Sequence, residues 1–108
     1  MKRPKFDPVA IPLLICEMIR RFGEMRGSEI LGALSFENRV PLLIAEDILD
    51  DLTQNGYVLR TGEFYVLTPK GEIAADITSF TTEKFRTAVF DEAENLMAER
   101  FSDFSDDI

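Results

Sequence analysis

The segment Leu49-Asp50-Asp51-Leu52-Thr53-Gln54-Asn55-Gly56-Tyr57-Val58, followed by Phe64-Tyr65-Val66-Leu67-Thr68-Pro69-Lys70-Gly71, decides the architecture. Leu49 and Leu52 recur at helical spacing on one face, and Gly56 stops that helix. Tyr57-Val58-Leu59-Arg60 and Glu63-Phe64-Tyr65-Val66-Leu67 read as two strands joined by a tight turn at Thr61-Gly62. Thr68 is a side-chain cap for the next helix, with Pro69 at its first position. The order is therefore helix, hairpin, helix.

Upstream, Ile11, Leu14, Ile15, Met18, Ile19 and Phe22 form one apolar stripe of a first helix, opened by Asp7-Pro8 and closed by Gly23. Leu13 and Cys16 widen that stripe, so this helix has a second neighbour beyond the core beneath it. Glu24-Met25-Arg26 is a short extended segment. Ser28 caps a second helix buried through Ile30, Leu31 and Leu34, and Asn38 caps a third that runs to about Asn55. The third helix buries Pro41, Ile44, Ala45, Ile48, Leu49 and Leu52. The fourth buries Ile73, Ala74, Ile77 and Phe80. A fifth, from Thr82 to Phe101, has an apolar surface covering nearly half its circumference. A small domain hardly covers that much, so Leu13, Phe85, Val89, Phe90, Ala93, Leu96, Met97 and Phe101 are expected at an interface between two copies of the chain.

At 108 residues, with 45% hydrophobic and 30% charged residues, the composition is that of one globular domain. No apolar run approaches the roughly 20 residues a membrane helix needs. No signal-peptide cleavage site follows Ile19, so the cytoplasm is the default location. A single cysteine excludes an intramolecular disulfide, and Cys16 reads as a small buried hydrophobe. The absence of histidine removes the Ser-His and Cys-His dyads and, with one cysteine, nearly every zinc site. Asp47, Asp50 and Asp51 do not follow a calcium-loop pattern. Neither an enzyme nor a cofactor is indicated.

The Leu49-x-x-Leu52-x-x-x-Gly56-Tyr57-Val58 and Tyr65-x-Leu67-Thr68-x-x-Gly71 patterns resemble the winged helix-turn-helix superfamily, most of all small prokaryotic regulators of the MarR and PadR kind. The resemblance spans residues 10–80. It implies a mainly α fold with a small β-hairpin wing and a long C-terminal helix. The parts are a basic arm (1–7), a winged-helix domain (8–80), a dimerisation helix (81–101) and an acidic tail (102–108). It further implies a homodimeric transcription regulator that inserts its third helix into the major groove of duplex DNA.

Charge distribution leaves two functional readings open. Residues 1–27 carry a net +3, residues 28–77 a net −6 and residues 78–108 a net −5, summing to −8. In a regulator, Lys2, Arg3, Lys5, Arg39, Arg60 and Lys70 are the candidate DNA contacts. Yet Leu43, Glu46, Asp47 and Asp50 point outward from the third helix, where base readers need cationic or amide side chains. That face fits a protein partner, which makes an adaptor module the alternative.

Overall fold

In the computed structural model, residues 10–76 and 83–105 are described; within them the side chains of residues 10, 38, 83–85 and 100–105 are not. The chain is mainly helical, with one small antiparallel sheet. Its elements are α1 (Ala10–Phe22), β1 (Met25–Arg26), α2 (Gly27–Ser35), a 3-10 turn (Phe36–Asn38), α3 (Leu42–Gln54), β2 (Val58–Thr61), β3 (Phe64–Leu67), α4 (Pro69–Ala75) and α5 (Glu83–Ser105). β3 lies between its hairpin partner β2 and the short β1. Val58 pairs with Leu67 and Thr61 with Phe64, while Met25 pairs with Tyr65.

α1 is the core helix. Ile11, Leu14, Ile15, Met18 and Ile19 are all buried, as the stripe requires, and they meet Met25, Ile30, Leu34, Leu49 and Val58. Gly23 ends the helix at φ 88°, and its N–H donates to the Ile19 carbonyl at 2.7 Å. The expected second neighbour of α1 is real: besides the core it packs on α4 and, through its last turns, on α5.

Several boundaries differ from expectation, each for a local reason. α2 begins at Gly27, ahead of Ser28, because the Glu29 carboxylate accepts the Arg26 backbone N–H at 2.8 Å and supplies the terminal satisfaction. α3 begins at Leu42 with Pro41 as its N-cap, three residues later than a start capped by Asn38. A residue preceding proline is steered away from the helical region, which holds Val40 outside the helix. The hairpin turn is Gly62-Glu63, one residue later than read, with Gly62 at φ 64°. Ile44 is 40% exposed because it sits about 100° around the helix from Ala45, at the margin of the buried face.

α4 holds the clearest correction. Its inner face is Gly71, Ala74 and Ala75, and Ile73 points outward at 68% exposure. The cap is as expected: Thr68 Oγ1 accepts the Gly71 N–H at 3.1 Å, with Pro69 at the first position. Gly71 lets α4 settle against Tyr57, just ahead of β2, while the helix packs chiefly on α1. A Cβ on Gly71 would collide with the Tyr57 carbonyl oxygen and lie 2.7 Å from Leu67 Cδ2. Ile77 and Phe80 lie outside the described residues.

α5 runs to Ser105, not Phe101, and lies mainly across α2, where a Cβ on Gly32 would stand 3.1 Å from Leu96 Cδ1. Its link to α1 is electrostatic as well as apolar. Glu17, buried on α1, takes a two-pronged contact from the Arg86 guanidinium: Nε to Oε1 at 3.1 Å and Nη2 to Oε2. Arg21 pairs with Glu94 at 2.6 Å and lies over the rings of Phe22 and Phe90.

Two stability predictions follow from these contacts. Gly71→Ala should cost about 2–3 kcal/mol in urea denaturation, since backbone has to move to admit one methyl group. Arg86→Met should destabilise more than the double variant Glu17→Met/Arg86→Met, because the single change leaves a buried carboxylate without its cation. Equal midpoints for the single and double variants would show that the pair does not hold α5 in place.

Candidate functional site

α3 presents two different surfaces. Ala45, Leu49 and Leu52 face the core. At the N-terminal end Leu42, Leu43 and Ile44 are exposed around the helix, Leu43 most of all at 75% and on the side away from the core. Phe36 of the preceding turn is exposed nearby in sequence. Glu46, Asp47, Asp50 and Asp51 follow along the helix, all exposed, and the α3 sequence LLIAEDILDDLTQ contains no lysine or arginine. The outward face is thus an apolar end leading into an acidic stripe. The sequence-derived set Leu43, Glu46, Asp47 and Asp50 is brought together on it.

The candidate DNA contacts are not gathered in this way. Arg39 is not on α3: it precedes Pro41, pairs with Glu37 at 2.9 Å and donates to the Phe36 carbonyl. Arg60 folds back on its own hairpin, with Nε donating to the Gly62 carbonyl at 3.0 Å. Lys70 donates to the Asn55 carbonyl at 2.9 Å, at the end of α3, and sits 4.5 Å from the Tyr57 ring centroid. Arg20 is likewise engaged, with Asp76, and Arg26 with Glu63 at 2.8 Å. Each of these cations makes a contact within the chain. Lys2, Arg3 and Lys5 lie outside the described residues.

The expected dimer face needs correction. Val89, Phe90, Ala93 and Met97 are buried inside the chain itself, and Leu96 is packed against the same core. They are consumed by α2 and α1, so they offer no free surface to a second copy. The side chains of Phe85 and Phe101 are not described. Leu13 is half-buried and faces a cavity.

That cavity, about 410 Å³, was not foreseen as a site. Pro12, Leu13 and Cys16 of α1, Leu52 of α3, Tyr57, and Lys70, Ile73 and Ala74 of α4 line it. A neighbouring cleft of about 410 Å³ shares Pro12, Leu52 and Tyr57 and adds Ile48, Asp51 and Asn55. The sequence signal was the breadth of α1: Leu13 and Cys16, off the main stripe, are where helix and cavity meet. Among the described residues, no three cysteine or carboxylate side chains are grouped to hold a metal ion. Nor is any described helix long and apolar enough to cross a membrane.

Burial pushes the Cys16 thiol up to about 11, by desolvation of the thiolate. At pH 8 the folded protein should therefore leave Ellman's reagent unreacted until denaturant is added. The unfolded chain releases the thiol proton at a lower pH than the folded one. Stability should accordingly be unaffected below pH 9 and should fall as pH rises from 9 toward 11. Prompt labelling of native protein at pH 8 would contradict this burial.

No protein-family model, no curated protein and no solved structure matches this chain.

Proposed function

We propose that the chain is a winged-helix module that binds another protein through the outer face of α3. The winged-helix reading is supported by the order of elements, α1-β1-α2-α3-β2-β3, and by the way β1 pairs with the inner strand of the hairpin. The functional reading rests on one observation. The helix that a DNA-binding winged helix inserts into the groove here carries exposed Leu42, Leu43 and Ile44 and then four carboxylates, with no cation.

Electrostatics favours a protein partner over duplex DNA. A duplex carries one phosphate charge per ~1.7 Å of axis, and binding depends on cations that replace its counterions. Glu46, Asp47, Asp50 and Asp51 would approach those phosphates directly. Arg39 and Arg60 are held in intrachain contacts that docking would have to break. A protein partner has no such requirement: an apolar patch rimmed by charge of one sign is a common form of specific interface. The partner such a face selects is cationic around an apolar centre.

The test is a pair of measurements on the folded protein. Anisotropy of a labelled random-sequence duplex should remain flat from low to physiological salt. Interaction partners recovered with the wild-type chain should be lost with Leu43→Asp, and separately with Asp47→Lys/Asp50→Lys. Both variants should retain the wild-type circular dichroism, since these side chains are exposed. Micromolar duplex binding that weakens steeply with salt would return the protein to the regulator reading. Partners kept by both variants would remove α3 as the interface.

A further inference from the structure

We propose that the cavity between α1, α3 and α4 is a binding site for a medium-chain amphiphile with a carboxylate headgroup, of the fatty-acid class. Its volume, about 410 Å³, lies within the range small-molecule sites occupy, roughly 300–1,000 Å³. The walls come from three helices and the residue that opens the hairpin, so they are fixed by the core. Leu13, Leu52 and Ala74 supply an apolar interior, and Ile73 stands at the rim with most of its side chain in solvent. A large exposed apolar side chain beside a cavity is a surface that an alkyl chain would cover.

The headgroup follows from charge. Among the described residues, Lys70 is the only charged one in the lining of this cavity. Its ammonium is held at a fixed place by the Asn55 carbonyl, 2.9 Å away, and by the Tyr57 ring. An ammonium has three donors, and Asn55 accepts one of them. With the Tyr57 ring against another side of the ammonium, a remaining N–H is available to a carboxylate without displacing either contact. The neighbouring cleft, beyond Leu52 and Tyr57, carries Asp51 in its lining. A carboxylate there would meet like charge, so the headgroup is assigned to the Lys70 side.

A peptide segment is a poorer match for the same space. Its buried amides would each need a hydrogen-bond partner, and a lining of Pro12, Leu13, Cys16, Leu52 and Ala74 side chains has few to offer. An alkyl chain makes no such demand. The site is separate from the outer face of α3, and it stands or falls independently of the partner-binding reading.

Decanoate, kept below its micelle concentration, is the probe, with decanol as its uncharged counterpart. Calorimetry should detect decanoate binding, and ¹³C-methyl spectra should shift at Leu13, Leu52, Ile73 and Ala74. Lys70→Met should weaken decanoate roughly five-fold while leaving decanol unchanged, the effect of losing one partly exposed ion pair. Ile73→Asp, at an exposed position, should weaken both ligands without altering the fold. Absence of methyl shifts at saturating decanoate would overturn the site. Shifts spread across the whole core, as detergent unfolding gives, would overturn it too. Equal affinity for decanoate and decanol, unchanged in Lys70→Met, would overturn the assignment of the headgroup.

Discussion

Three consecutive carbonyls, those of Asn55, Gly56 and Tyr57, leave the end of α3 without helical partners, and the rest of the molecule is arranged around satisfying them. Lys70 Nζ donates to Asn55 at 2.9 Å, Thr68 Oγ1 to Gly56 at 2.6 Å and the Thr68 N–H to Tyr57 at 3.2 Å. The same hydroxyl accepts the Gly71 N–H, so one threonine closes α3 and opens α4. Because all the donors come from the first residues of α4, that helix can occupy only one position against the hairpin. Gly71 is a consequence: any side chain there would strike the carbonyl of Tyr57. Both faces of interest inherit their geometry from this junction, since it orients α3 and forms one wall of the apolar cavity.

How much of this was legible depends on whether the cause was local. Thr68-Pro69 and Gly23 announce helix ends through their own backbone chemistry, and they are found where they were expected. The start of α3 was misplaced because Asn38 is a good cap in isolation, whereas Pro41 fixes the boundary. Ile73 was assigned inward on hydrophobicity alone. Packing overruled it: the turn that lays Gly71 against the Tyr57 carbonyl and buries Ala74 and Ala75 leaves Ile73 on the outer side. The long apolar face of α5 was read correctly as needing cover, but its partner was misidentified. Nothing in a single sequence says that the open side of α2 and the last turns of α1 are its match. One clue was present: Glu17, a carboxylate inside an apolar run, requires a cation from elsewhere, and Arg86 of α5 provides it.

The distribution of cations explains why the acidic character of α3 is not an accident of composition. The chain has 12 basic against 20 acidic residues. Arg20, Arg21, Arg26 and Arg86 are spent on contacts between elements: α1 with α4 and α5, and β1 with the hairpin. The exposed pairs among them, those of Arg20, Arg21 and Arg26, contribute little stability each, typically under ~1 kcal/mol. They do, however, fix where positive charge resides. α3 receives none of it. Glu46 with Asp50, and Asp47 with Asp51, are like charges one helical turn apart, each a small destabilisation that persists in the free protein. A cationic partner relieves that repulsion, and the gain is available only to a ligand that approaches this face. Selectivity of this form favours the right encounter and penalises anionic surfaces, duplex DNA included. Scaffold and display are thus separate in this chain: the junction at Asn55–Tyr57 sets the position of α3, and the side chains on its outer face set which charges that face repels.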